Sequence, residues 1–159
     1  MTMRKITPFL WFDGKAEEAA KFYCSIFKGS KILEVRRSGK AGTGKKSPAM
    51  AVTFRLNGQE LIAFNGGPHF KFTPAISFFV RCKTQREVDR LWAKLSQGGK
   101  EVQCGWLTDK YGLSWQIVPN ILGELLGDED EAKAGRVMQA MLKMVKLDIK
   151  ALQRAYDNP

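Results

Sequence analysis

The sequence predicts an α+β fold: two βαβββ units forming a cupped mixed sheet, followed by C-terminal helices. Three observations lead there. Two segments of helical periodicity, Ala16 to Phe27 and Val88 to Leu95, are each preceded by one strand-like run and followed by three. Phe22-Tyr23 and Leu91-Trp92 occupy corresponding places in those helices, so the order strand–helix–strand–strand–strand occurs twice. A chain of 159 residues with 44% hydrophobic and 11% aromatic content has room for one domain core, or for two small halves sharing one. The repeats are placed at about 5–65 and 75–119. Residues 1–119 are thus read as one domain, and 120–159 as a helical extension packed on that domain or on a dimer partner.

In the first repeat, Ile6 to Phe12 is an apolar run that contains Pro8, which suits an edge or an end of a sheet. Asp13-Gly14 turns the chain into a helix. Ala16, Ala19, Ala20, Tyr23, Ile26 and Phe27 form its apolar stripe, and Gly29 marks its stop. Lys31–Arg37 reads as a strand. Residues 38–47 read as a solvated loop. Gly39 to Lys45 comes close to a phosphate-binding loop, but Lys46 stands where a Ser or Thr must bind Mg²⁺, and a strand rather than a helix follows. Met50–Leu56 and Gln59–Asn65 alternate as strands, joined by the hairpin dipeptide Asn57-Gly58.

The second repeat begins after the loop that carries the only histidine, His69. Ala75–Arg81 reads as a strand. Thr84 with Glu87 matches a capping box, and Val88, Leu91, Trp92 and Leu95 give the helix stripe, ended by Gly98-Gly99. A short strand near Glu101–Val102 leads into a last hairpin. Its turn is Asp109-Lys110-Tyr111-Gly112, and in its last strand Leu113, Trp115 and Ile117 point one way while Ser114, Gln116 and Val118 point the other. In the tail, the acidic run 128–131 suits a helix N-terminus. Met138, Met141, Leu142 and Val145 form one apolar stripe, and Ile149, Leu152 and Tyr156 another.

Composition removes several function classes. No apolar run approaches the roughly 20 residues of a membrane span, and no signal peptide is evident at the N-terminus. Three scattered cysteines, Cys24, Cys82 and Cys104, argue for a reducing cytoplasm and against a disulfide framework or a zinc site. Lys and Arg number 26 against 16 acidic residues, a net charge of +10, yet no recognition helix or aromatic RNA-binding strand accompanies the excess, which argues against a nucleic-acid partner.

Three segments carry a resemblance. Ile6-Thr7-Pro8-Phe9-Leu10-Trp11-Phe12-Asp13-Gly14 through Phe27, then Phe64-Asn65-Gly66-Gly67-Pro68, then Asp109 to Pro119 in the pattern D-x-x-G-x-x-W-Q-[IV]-V-P, resemble the PhnB-like branch of the glyoxalase (vicinal-oxygen-chelate) superfamily. The resemblance implies the double βαβββ fold and a homodimer. It also implies a metal site built from one position on each of four strands, here Thr7, Ala63, Ala75 and Gln116. None of these is His, Asp or Glu, so neither a metal nor another cofactor is expected. The branch also carries a 3-demethylubiquinone-9 3-methyltransferase label, but no Gly-rich strand–turn–helix for S-adenosylmethionine is present.

The expected function is binding of a small organic molecule in a metal-free cleft, with catalysis left open. Its liners are Trp11, Phe64, Asn65, His69, Phe70, Phe72, Trp106, Trp115 and Gln116, since aromatic walls with a few amides are what such a pocket needs. Two enzymatic alternatives stand beside it. One is a metal-dependent lyase or transferase using His69, Gln116 and Glu60 or Glu101; the other is the methyltransferase of the label. A basic protein contacting nucleic acid or an acidic partner is the third.

Overall fold

In a computed structural model, residues 5–37, 39 and 47–158 are described. The Gly-rich segment 38–47, read above as a loop, falls outside them except for Gly39 and Ser47. The chain forms two compact units, Met1–Lys71 and Phe72–Pro159.

The first unit is β1 (Phe9–Phe12), α1 (Ala16–Ile26), β2 (Lys31–Arg37), β3 (Ala49–Leu56) and β4 (Gln59–Asn65). Its sheet runs β1-β4-β3-β2, with β1 parallel to β4 and the other pairs antiparallel. The second unit repeats the pattern with β5 (Ser77–Cys82), α2 (Gln85–Ser96), β6 (Lys100–Glu101), β7 (Trp106–Thr108) and β8 (Ser114–Pro119), in the order β5-β8-β7-β6 with β5 parallel to β8. The two βαβββ units read from the sequence are therefore present, each as a mixed four-stranded sheet.

In each unit one helix covers one face of the sheet. Ala16, Ala19, Ala20, Tyr23 and Ile26 of α1 are buried, as are Leu10, Phe12, Val52, Phe54, Leu61 and Ala63 from the strands. Val88, Leu91, Trp92 and Leu95 of α2 are buried, with Leu107, Trp115 and Ile117. Side chains alternate along a strand, so this covering leaves Phe9, Trp11, Ile62 and Phe64 on the helix-free face of the first sheet. It leaves Ser77, Phe79, Arg81, Trp106 and Gln116 on the face of the second sheet opposite α2, where the helix that follows β8 covers the end that carries Val118.

The local signals act as their chemistry dictates. Asn57 and Gly58 both take positive φ, 43° and 87°, which the tight hairpin between β3 and β4 requires. The Thr84 hydroxyl accepts from Glu87 N at 3.2 Å, while the Glu87 carboxylate accepts from Lys83 N at 2.8 Å, one residue earlier than in the usual reciprocal cap. Strand β1 starts at Phe9 rather than Ile6, and Ile6 is 85% exposed. Burial of the Cys82 thiol pushes its pKa up to about 11, with Glu87 adding to the effect and Arg90 opposing it.

After β8 come α3 (Asn120–Leu126), α4 (Glu131–Leu142) and α5 (Ile149–Asp157). Asp130 caps α4 by accepting from Ala132 N and Lys133 N. The apolar cluster of the tail is Val118, Leu122, Leu125, Val137, Leu147 and Leu152, with Met141 and Tyr156 against it. This corrects the expected stripe. Val137 is the buried residue of α4, whereas Met138 and Leu142 on its other face are 39% and 47% exposed, and Val145, in the connection beyond α4, is 42% exposed. That connection docks on the second repeat: Cys104 N and Gly105 N donate to Met144 O and Val145 O, both at 2.8 Å, and Lys146 pairs with Asp89 at 2.6 Å. Among the described residues no helix is long and apolar enough to cross a membrane.

Candidate functional site

The first unit's helix-free face carries a run of touching aromatic rings. Phe9 and Phe64 lie 5.3 Å apart between centroids. Trp11 meets Phe64 edge-on at 5.2 Å and Phe70 edge-on at 5.0 Å. The Trp11 indole N–H donates to Gly67 O at 2.9 Å, so the ring is fixed at both ends. Phe9 and Phe70 remain 58% and 66% exposed, an unusual loss of apolar burial for rings already in contact. Phe9 was not among the expected liners. Its alternation with Trp11 across β1 is the signal that places it there.

Asn65 serves a different purpose. Its Oδ1 accepts from Ala16 N and its Nδ2 donates to Ala49 O, both at 2.9 Å. Lys15 supplies no side-chain cap to α1, so Asn65 satisfies the first helical amide from across the sheet. His69 is exposed in the loop after β4 and Phe72 is half-buried.

Beside Asn65 lies a cavity of about 510 Å³ lined by Gly14, Glu17, Arg37, Ser47 and Ala49. Its charges are already matched. Arg37 donates to Glu17 Oε1 at 3.0 Å and to Ser47 O at 2.9 Å, and Lys21 donates to Glu17 Oε1 at 2.8 Å. The Arg37 guanidinium, then Lys21, hold the Glu17 carboxyl from its ordinary 4.5 down to about 2, against a smaller opposing effect of burial. A carboxylate with a lowered folded-state pKa stabilises the fold above its unfolded value, and the contribution is lost as pH falls through the folded one. Thermal melts are therefore expected to lose stability between pH 4.5 and about 2, and Glu17→Gln is expected to flatten that segment of the profile. An unchanged slope in Glu17→Gln would contradict the pairing.

On the face of the second sheet opposite α2, Trp106 lies opposite Gln116 in the β7–β8 ladder. The Gln116 amide donates to Ser77 Oγ at 2.9 Å, and Arg81 sits over the Phe79 ring at 5.3 Å from its centroid. Trp115 is on the other face, 2% exposed under α2, edge-on to Phe78 at 5.1 Å. The structure thus places Trp115 in the core of its unit and not on the face opposite α2. Its indole N–H donates to Asp109 Oδ2 at 2.8 Å, while Asp109 Oδ1 accepts from Tyr111 N at 2.8 Å and Leu113 N at 3.1 Å. Asp109 is itself 2% exposed, a role its place in a polar turn conceals at the level of sequence.

The donor chemistry does not fit a transition metal at the four superfamily positions. Ala63 is fully buried on the α1 side, and its neighbours on the open face, Ile62 and Phe64, are hydrocarbon. Thr7 and Ala75 supply no imidazole, thiolate or carboxylate, and Gln116, whose Nε2 donates to Ser77 Oγ, offers only a neutral amide oxygen. Of the other carboxylates considered, Glu60 faces Arg55 at 3.8 Å, and Glu101 accepts the Trp92 indole N–H at 2.7 Å. No three His, Cys, Asp or Glu side chains cluster among the described residues.

Comparison with known proteins follows the same lines. The family model described as 3-demethylubiquinone-9 3-methyltransferase matches residues 4–118. Among solved structures, a Bacillus cereus protein described as a putative 3-demethylubiquinone-9 3-methyltransferase, PhnB protein, is 42% identical. The match covers 73% of this chain and 99% of that one, with a TM-score of 0.66. A protein of Pseudomonas aeruginosa is 20% identical over 74% of this chain and 98% of its own, with a TM-score of 0.60, a likeness of fold. No curated protein matches the chain.

Proposed function

Because the chain belongs to the 3-demethylubiquinone-9 3-methyltransferase family of PhnB type, in the glyoxalase superfamily, we propose that it binds a small, flat, largely apolar organic molecule without a transition metal. The observation that supports this most is the ring cluster of Phe9, Trp11, Phe64 and Phe70. It is rigidly held yet left partly bare on a sheet face that no helix of its own unit covers. Such a surface gains by stacking a planar ligand. The equivalent face of the second repeat, with Trp106 and the Gln116–Ser77 pair, is proposed to supply aromatic and amide contacts of the same kind.

Neither a metal-dependent lyase nor methyl transfer is proposed. For the first, no three His, Cys, Asp or Glu side chains cluster among the described residues, and for the second, the sequence offers no glycine-rich strand–turn–helix of the kind that would hold its cofactor. The test uses 2-naphthol, uncharged at neutral pH, as the probe. Trp11→Ala is expected to weaken its binding by about tenfold, the scale of one lost stacking partner. Excess chelator is expected to change nothing. Binding that needs an added divalent metal, or that Trp11→Ala leaves intact, would overturn the reading.

We further propose a cytoplasmic homodimer. The three free cysteines support the compartment. The exposed Met138, Leu142 and Val145 on the tail support an apolar surface for a second copy. Light scattering showing only a 17.9 kDa species at micromolar concentration would refute the dimer.

A further inference from the structure

We infer that a cleft between β5, β8 and α3 binds an organic monocarboxylate with an apolar body. It goes beyond the reading above and shares no residue with the Trp11 ring cluster, so either can fail alone. The cleft has a volume of about 410 Å³, within the range of small-molecule sites. Phe79, Val118 and Pro119 give it an apolar floor, and Arg81 provides its cation. Phe79 and Arg81 fall on one face because they alternate along β5, and Val118 lies opposite Arg81 in the ladder.

The Arg81 guanidinium lies over the Phe79 ring at 5.3 Å, and no carboxylate lies within ion-pair distance of it among the described residues. With no carboxylate partner among those residues, the Arg81 N–H groups are available to a bidentate carboxylate, while the half-exposed Phe79 offers surface to the ligand's body. Glu124 also lines the cleft without pairing to Arg81, so it selects against a second negative charge on the ligand.

The far wall belongs to this chain's own extension. Gly123 and Glu124 lie in α3, beyond residue 118 where the family match ends. Gly123 lines the cleft, and a Cβ built there meets nothing within 4 Å, so a larger side chain fits at 123 without a clash and replaces a poor helix former by a better one.

The experiment is equilibrium dialysis of the full chain against 1-naphthoate, with neutral 1-naphthamide for comparison. We expect 1-naphthoate to bind about tenfold more tightly than the amide, as one charge-assisted bidentate contact implies. Arg81→Gln and Gly123→Leu are each expected to lose about tenfold for 1-naphthoate while leaving the weaker uptake of 1-naphthamide unchanged. Circular dichroism confirms that the variants fold, and Gly123→Leu decides if Arg81→Gln does not. Equal binding of acid and amide, wild-type affinity in Gly123→Leu, or no binding of 1-naphthoate at millimolar concentration would overturn the inference.

Discussion

Asp109→Ala is expected to destabilise the protein by about 3 kcal/mol, among the largest effects of any single substitution outside the apolar core. The carboxylate is 2% exposed and accepts three N–H groups, from Tyr111, Leu113 and the Trp115 indole. Two of these donors, the Leu113 amide and the Trp115 indole, belong to buried residues, and removing their shared acceptor costs both of those hydrogen bonds at once. Asp109 also closes its own turn: its N–H donates to Leu113 O and its carbonyl accepts from Gly112 N, both at 2.9 Å, with Gly112 at a φ of 89°. Asp109→Asn keeps one acceptor oxygen and is expected to lose about half as much. Urea unfolding reads both as a lower midpoint with an unchanged slope. A loss under about 1 kcal/mol in Asp109→Ala would show that the network is not the support of the β7–β8 hairpin. The consequence reaches the face opposite α2, because the same hairpin places Gln116 against Ser77.

Gly66→Ala is expected to displace Trp11, destabilise the first unit by about 2 kcal/mol and weaken 2-naphthol binding about as much as Trp11→Ala does. A Cβ at position 66 would stand 2.1 Å from Trp11 Cζ2, far inside van der Waals contact, so the indole must move. Moving it breaks the bond to Gly67 O and the edge-on contacts with Phe64 and Phe70 together. The smaller ring of Trp11→Phe relieves the clash. In that background Gly66→Ala is expected to cost measurably less, a coupling that a double-mutant cycle reads directly. Additive effects would contradict the close packing of Trp11 on Gly66.

The order of elements was legible because it rests on local chemistry. Asn57-Gly58 can hardly do other than turn a hairpin, Thr84 and Glu87 cap a helix wherever they stand, and the Ala16 to Ile26 stripe matches one buried face. The repeat followed from that order. Side-chain roles set by partners distant in sequence were not legible. Asn65 reads as a pocket amide, yet its two bonds bridge Ala16 and Ala49, 49 and 16 residues away. Asp109 reads as a wet turn residue until Trp115 folds over it. In the tail, the apolar stripe counted from Met138 ran on to Val145, beyond the end of α4 at Leu142, and missed Val137, the buried residue within α4. At the candidate site, alternation along β1 and β5 already contained Phe9 and Arg81. It did not say which face the helix would leave bare.

The most direct test of metal-free binding on the aromatic face is fluorine NMR of protein carrying fluorotryptophan at its four tryptophans, titrated with 2-naphthol in the presence of chelator. The resonances are assigned by replacing each Trp with Phe in turn. Trp11 lies on the helix-free face, whereas Trp92, on the buried face of α2, and Trp115, in β8 beneath it, are 5% and 2% exposed. The account predicts a saturable shift of the Trp11 resonance with Trp92 and Trp115 unmoved. An unmoved Trp11, or a shift that arises only when a divalent metal replaces the chelator, would contradict it.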